Sequence, residues 1–209
     1  MDHSNHEQDP RVIRTRKLLR EAFIELVIEQ GYHKTTIKDI TERATLNRVT
    51  FYLHYKDKSE FLENIIAGFL QELVAQQQLP QKVAQLLSFQ QTNQAAADIF
   101  HFVSQHSEFF TAMLVRDGVW EFQNALENFH YQATLKRLAS IRGGVPDTEI
   151  EVELLLRHLA GAFIGVLKWW LDNDQPHTPD TMAEKIMAIY RDGIYRCLGY
   201  QISEDGFSF

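Results

Sequence analysis

The sequence predicts an all-α protein in which a small N-terminal three-helix domain, residues 10–58, precedes a larger helical domain, residues 59–200. Two patterns carry this expectation. Apolar residues recur at three- and four-residue steps along most of the chain, and the breaks between those runs hold helix caps, glycines and prolines. Beyond Pro80 no convincing run alternates with period two, and Asp117-Gly118 has no alternating residues around it.

Asp9-Pro10 starts the first helix, the aspartate as N-cap and the proline at a position whose missing N–H is no loss. Leu18, Leu19, Ala22, Phe23, Leu26 and Val27 give this helix one apolar face up to Gln30, and Gly31 stops it. Thr36 with Asp39 forms an approximate capping box for a short helix buried through Ile37, Ile40 and Ala44. After the turn at Thr45-Leu46, Asn47 caps a third short helix that runs to His54. Asp57 and Glu60 then frame a fourth, carrying Phe61, Leu62, Ile65, Ile66 and Phe69. Further helices are expected over Lys82–Gln105, Glu108–Val115, Trp120–Ile141, Thr148–Leu171 and Pro179–Leu198, parted by Asp117-Gly118, by Gly143 to Pro146 and by Asn173 to Thr178.

Composition narrows the function classes. The 209 residues are 44% hydrophobic and 23% charged, which suits a folded soluble chain rather than a disordered one. The polar start MDHSNHEQ is neither an export signal nor an anchor, and the apolar stretch from Leu159 to Leu171 is short and holds Lys168, so a cytoplasmic protein without a membrane partner is expected. A lone cysteine, Cys197, excludes an intrachain disulfide and is expected to be a buried, inert thiol. The net charge of −7 argues against a nucleic-acid partner until its distribution is considered. From Pro10 to Lys58 eleven Lys and Arg face six acids, a net +5, which leaves −12 on the rest. A basic head on an acidic body suits a small DNA reader joined to a domain with another task.

Two short helices joined by a tight turn are the geometry that lets the second lie in a major groove while the first crosses the backbone. The run TTIKDITERATLNRVTFYLHYKDKSEFLENII, Thr35 to Ile66, holds caps, turn, aromatic pair and basic end in one order. Its most specific part is Thr50-Phe51-Tyr52-Leu53-His54-Tyr55 followed by Lys56-Asp57-Lys58. From Arg11 to Phe69 the chain closely resembles the helix-turn-helix domain of the TetR family of bacterial transcriptional regulators.

The resemblance implies that Thr36, Tyr52, His54 and Lys58 hold the phosphate backbone of double-stranded DNA, and that Asn47, Arg48, Val49 and Thr50 lie at the groove-facing start of the recognition helix. Their chemistry agrees: hydroxyl, imidazole and ammonium groups donate to phosphate, and Arg48 suits a guanine edge. Phe51 is expected in the core and Leu53 as a partly exposed packing residue. The chain departs from the commonest family pattern where glycine and serine usually stand, at Thr45 and Asn47, and Thr45 is then required to take a left-handed conformation.

In the body, Gly161 and Gly165 sit four apart on one helical face, where small side chains let another helix come close. The family resemblance implies that the last two long helices pair with their copies in a homodimer, with Met182, Ile186, Ile189 and Gly193 as the matching stripe and a palindromic operator as the consequence. It also implies a small-molecule effector whose identity the sequence does not specify, with Phe100, Phe109, Trp120 and Phe129 as candidate pocket residues. Control by a partner protein is the alternative. Repression is the expected outcome, because a dimer on a promoter blocks polymerase. His101, His106, His130 and His158 lack the spacing of a zinc site, so neither a metal nor a cofactor is expected. No phosphate loop, nucleophile elbow or His-Glu-x-x-His helix is present, and no enzyme is expected.

Overall fold

The computed structural model describes residues 9–76, 89–140, 150–197, 201–203 and 206–208. Helix α1 (Pro10–Gln30) opens as expected: Asp9 accepts the N–H of Arg11 at 2.8 Å, and Gly31 closes the helix at φ +92° with its N–H on the Val27 carbonyl. Three helices follow, α2 (Ile37–Arg43), α3 (Arg48–Tyr52) and α4 (Lys58–Gln76). Then come α5 (Phe89–Gln105), α6 (Ser107–Phe110), α7 (Trp120–Ser140), α8 (Val152–Asp172) and α9 (Pro179–Cys197), whose helical path is interrupted at Gly193, φ +76°. The turns expected at Gly143 to Pro146 and the helix start expected at Lys82 lie outside the described residues.

Three features depart from the expected elements. The segment expected as a plain helix over Glu108–Val115 is α6 followed by a π-helical turn, Thr111–Arg116, and the N–H of Asp117 reaches back five residues to Ala112 at 3.0 Å. A short antiparallel pair, β1 (Gln201–Ser203) with β2 (Gly206–Ser208), adds two strands to the helical architecture. Three residues a side are too few to show alternation, and the signal available was the Asp205-Gly206 dipeptide beside the second strand. Cys197, expected to be buried, is exposed, because it is the final residue of the last helix.

The chain packs as two units. One comprises Met1–Glu72 and Ser107–Ala125, so the unit that holds the helix-turn-helix is larger than the 10–58 segment suggested by sequence. Its centre is aromatic: Phe23 meets Phe61 edge-on at 5.3 Å, Phe51 does the same at 5.3 Å, and Phe69 stacks on Phe109 at 4.9 Å. These rings are at most 2% exposed, and each contributes about 2–3 kcal/mol by leaving water. Arg20 lies over the Phe69 ring at 4.7 Å and pairs with Glu72, so its charge is met while its stem covers the core.

The other unit comprises Leu73–His106 and Leu126–Phe209. Ala96 and Ala97 of α5 meet Ala183 of α9, small side chains that let the two helices run close together. Phe100 packs on Phe163 at 5.5 Å and on Trp170 at 5.1 Å, and the buried indole N–H of Trp170 donates to the His177 carbonyl at 2.9 Å. By length and composition α8 is long and apolar enough to cross a membrane, whereas the expectation rested on the shorter stretch from Leu159 to Leu171 with its Lys168. Leu156, Ala160, Phe163, Ile164, Leu167, Trp170 and Leu171 are buried within the unit, the arrangement of a core helix in a folded domain.

Candidate functional site

The helix-turn-helix is built from its caps inward. Thr36 and Asp39 complete the capping box of α2 in both directions: the Thr36 Oγ1 accepts the Asp39 N–H at 3.2 Å, and Asp39 accepts the Thr36 N–H at 2.9 Å. The Thr36 hydroxyl also donates to Asp39 at 2.6 Å, and these bonds hold the Asp39 carboxyl below its usual pKa. The Thr36 hydroxyl proton is thus committed to Asp39 in this structure.

Helix α2 ends in a left-handed turn. Thr45 donates to the Glu42 carbonyl at 3.1 Å and Leu46 to Thr41 at 2.8 Å, the paired bonds of a Schellman stop, with Thr45 at φ +56° where glycine is usual. The expected left-handed threonine is therefore present. Asn47 follows in extended conformation and its Oδ1 accepts the N–H of Val49 at 3.0 Å, capping α3. That helix ends at Tyr52, two residues before the expected His54.

Phe51, wholly buried among Phe61, Tyr52 and Tyr55, fixes the rotation of α3, and this decides which residues face outward. Arg48 and Val49, and one turn later Tyr52 and Leu53, lie on the outer face. Val49 is 66%, Tyr52 56% and Leu53 76% exposed, an apolar surface with no core to serve. Leu53, expected as a packing residue, belongs to this face; its spacing of four from Val49 was the signal. Asn47 is exposed beside it, whereas Thr50 and His54 are half-buried.

Lys58 is placed differently from a solvated phosphate ligand. Its ammonium donates to the Tyr32 carbonyl at 2.6 Å and lies 3.9 Å from the centre of the Tyr32 ring. Partial burial lowers its pKa. Arg43 is likewise engaged, on Glu29 at 2.6 Å and Glu25 at 3.1 Å, which lowers the Glu29 pKa. Among the remaining basic residues, Arg11, Arg14, Lys34, Arg48 and Lys56 are exposed.

A second site candidate lies wholly within the other unit: a cavity of about 290 Å³ walled mainly by Ile99, Phe129, Leu159, Phe163, Ile186 and Met187. Of the four expected pocket residues only Phe129 lines it. Phe100 is fully buried against Phe163, Phe109 is in the first unit's core, and Trp120 is 68% exposed at the start of α7, so helical spacing placed these three aromatics without separating wall from core.

The expected dimer stripe divides in the same way. Gly161 and Gly165 are exposed on α8, with Leu154, Leu155 and Trp169, and Ile189 and Gly193 are exposed on α9. Met182 and Ile186 are each 2% exposed, so they are buried in the core of their own unit, because α9 turns that edge inward. Among the described residues no three histidine, cysteine or acidic side chains gather as a metal site. His101 pairs with Asp180 at 3.2 Å and His158 is exposed.

The buried anchor, the capped turn and the outward face of α3 define a helix-turn-helix regulator. Residues 19–65 match the family described as bacterial regulatory proteins, tetR family, and residues 90–192 match the transcriptional regulator C-terminal region TetR_C_8. The chain belongs to the TetR family of transcriptional regulators. It is 28% identical over 190 residues to the HTH-type transcriptional regulator YxbF of Bacillus subtilis strain 168, a match covering 86% of this chain and 45% of that relative. It is 25% identical over 179 residues to the HTH-type transcriptional repressor KstR2 of Rhodococcus jostii strain RHA1, covering 81% and 85%. The chain thus spans less than half of the first relative and most of the second. In structure it is similar to a TetR transcriptional regulator from Streptococcus agalactiae 2603V, with a TM-score of 0.67 and 23% identity over 89% of this chain and 98% of that one.

Proposed function

We propose that the protein binds double-stranded DNA as a homodimer at a palindromic operator, represses transcription there, and is released by a small molecule held in the body cavity. The observation that carries the reading is the outer face of α3: Arg48, Val49, Tyr52 and Leu53 stand exposed on a helix whose opposite side is anchored by the buried Phe51. A side chain as large as Leu53 at 76% exposure gains nothing in the free protein, but suits contact with thymine methyl groups in a groove. Asn47 and Thr50 flank this face, while Thr36, Tyr52, His54 and Lys58 remain the proposed phosphate ligands, with Thr36 and Lys58 giving up their present partners on binding.

Supporting the dimer is the exposed apolar surface of Leu154, Leu155, Gly161, Gly165 and Trp169 on α8, continued by Ile189 on α9. Repression agrees with the name of the relative KstR2. A DNA partner in a bacterium places the protein in the cytoplasm.

The test is binding of the full chain to its own upstream DNA across a salt series. Affinity falling steeply with salt, and a selected site with two-fold symmetry, are expected. Absence of binding at low salt to any sequence selected from a random pool would overturn the proposal. In a promoter reporter, expression rises when the gene is deleted; a fall replaces repression with activation.

A further inference from the structure

Helix α3 presents two aliphatic side chains one turn apart. Val49 is 66% and Leu53 76% exposed, and the N–H of Leu53 donates to the Val49 carbonyl at 3.1 Å. The helical path therefore carries through both residues and stacks them on one side, about 6 Å apart along the axis. The Val49 N–H is taken in turn by the Asn47 Oδ1 at 3.0 Å. Both N–H groups are thus engaged, and the pair offers apolar surface without a donor. Along this stretch the charge is of one sign: no acid occurs from Ala44 to Lys56, where Arg48 and Lys56 stand exposed. An apolar pair with a basic border suits a DNA groove whose floor carries methyl groups between two lines of phosphate.

We infer that Val49 and Leu53 read the C5-methyl groups of pyrimidines in the major groove, one methyl each in every half-site, one or two base-pair steps apart. The inference rests on the DNA-binding reading above and adds the chemical group by which α3 selects its bases. Of the four bases only thymine carries an apolar group on its major-groove edge. Guanine, adenine and cytosine present acceptors and donors there, which an aliphatic side chain would dehydrate and leave unpaired. The spacing agrees, since about 6 Å along α3 compares with about 3.4 Å per base-pair step. Because the methyl itself is what the pair touches, 5-methylcytosine is accepted where cytosine is not. Each methyl contributes about fourfold in affinity, the gain from taking one such group out of water.

The test starts from a duplex that the full chain selects from a random pool. Each thymine is replaced singly by deoxyuridine, which removes the methyl and keeps every hydrogen-bonding group. The same positions are also made C·G pairs, with and without the 5-methyl group on cytosine. A loss of about fourfold is expected at two thymines of each half-site, and about tenfold or more when one of them is replaced in both half-sites. The gain from cytosine to 5-methylcytosine at those positions should match that from deoxyuridine to thymine. Leu53→Ala is expected to abolish the response at one thymine and Val49→Ala at the other. Both side chains are exposed, and melting of the free variants checks their folding. Fewer than two methyl-sensitive thymines in a half-site, or a response that survives both substitutions, overturns the inference while leaving DNA binding intact. If no selected duplex binds at all, the DNA-binding reading falls and the inference falls with it.

Discussion

Asp117 accepts the backbone N–H of Tyr32 at 2.5 Å across a separation of 85 residues. The other side of the same residue is also held, because the Tyr32 carbonyl receives the ammonium of Lys58 at 2.6 Å. Next door, Arg116 donates to the last carbonyls of α1, those of Ile28, at 3.0 Å, and Val27. The end of α1 is thus capped by Arg116, the last residue of the π-helical turn, and by Asp117, the residue that follows it.

Removing this acceptor leaves a partly buried N–H unmet, so Asp117→Ala is expected to lower stability by about 1–3 kcal/mol. Asp117→Asn, which keeps an oxygen, costs less. Gly31→Ala acts on the same junction with greater effect, since a Cβ there stands 2.8 Å from the Asp117 carboxylate on a backbone at φ +92°. Urea midpoints of the three variants give the order; an unchanged midpoint for Asp117→Ala removes the contact from the list of stabilising ones.

Thr45 holds a β-branched side chain in the left-handed region at φ +56°. Thr45→Gly should therefore stabilise the protein by about 1 kcal/mol, the relief of left-handed strain less the added freedom of the unfolded chain. A melting temperature that falls on this change would show that the threonine side chain contributes more than its backbone costs.

On DNA, Arg48→Ala is expected to alter which bases are preferred by about 1–3 kcal/mol at one position of each half-site, and Tyr52→Ala to weaken all sequences alike. Lys58→Ala differs from both, because it also deprives the Tyr32 carbonyl of its donor and lowers stability in the absence of DNA. Binding to a randomised pool, paired with denaturation of the free proteins, separates the three effects. The same base preference before and after Arg48→Ala would strip Arg48 of its reading role.

His130 sets a pH dependence of defined sign. Its folded pKa of about 4 lies below the ordinary 6.5, with burial the main cause and Arg137 a further one. The folded state thus favours the neutral ring: this contribution is complete above pH 6.5 and is lost as pH falls from there through about 4, up to about 3 kcal/mol in all. Glu29 and Asp39, also lowered, act further into acid, as pH falls below their ordinary carboxylate values near 4.5 and 3.8. Melting temperatures between pH 4.5 and 7.5 should fall less steeply for His130→Gln than for the natural chain; parallel curves would contradict the assignment.

Much of the helix-turn-helix was legible from residue types alone. Asp9-Pro10, the Thr36 and Asp39 box, Asn47 and the left-handed Thr45 are local devices whose bonds close within five residues, so each can be read without knowing the fold. Leu53 was harder to place because its exposure depends on the rotation that Phe51 imposes when it packs on Phe61. In the body, helical spacing described Met182, Ile186, Phe100, Phe109 and Trp120 correctly as periodic without stating what each period faced.

The sequence by itself determined the helical class, the caps, the position of the two short helices of the helix-turn-helix and the basic head, because hydrogen-bond closure within a few residues and side-chain charge are local properties. Only the tertiary structure decided that Lys58 lies on Tyr32, that Asp117 caps the end of α1, that Met182 and Ile186 turn inward, and that His130 and Arg137 line one cavity. Those facts depend on which helix faces are brought together across long stretches of chain, and burial, once established, changes the charge behaviour and the available partners of the groups it encloses.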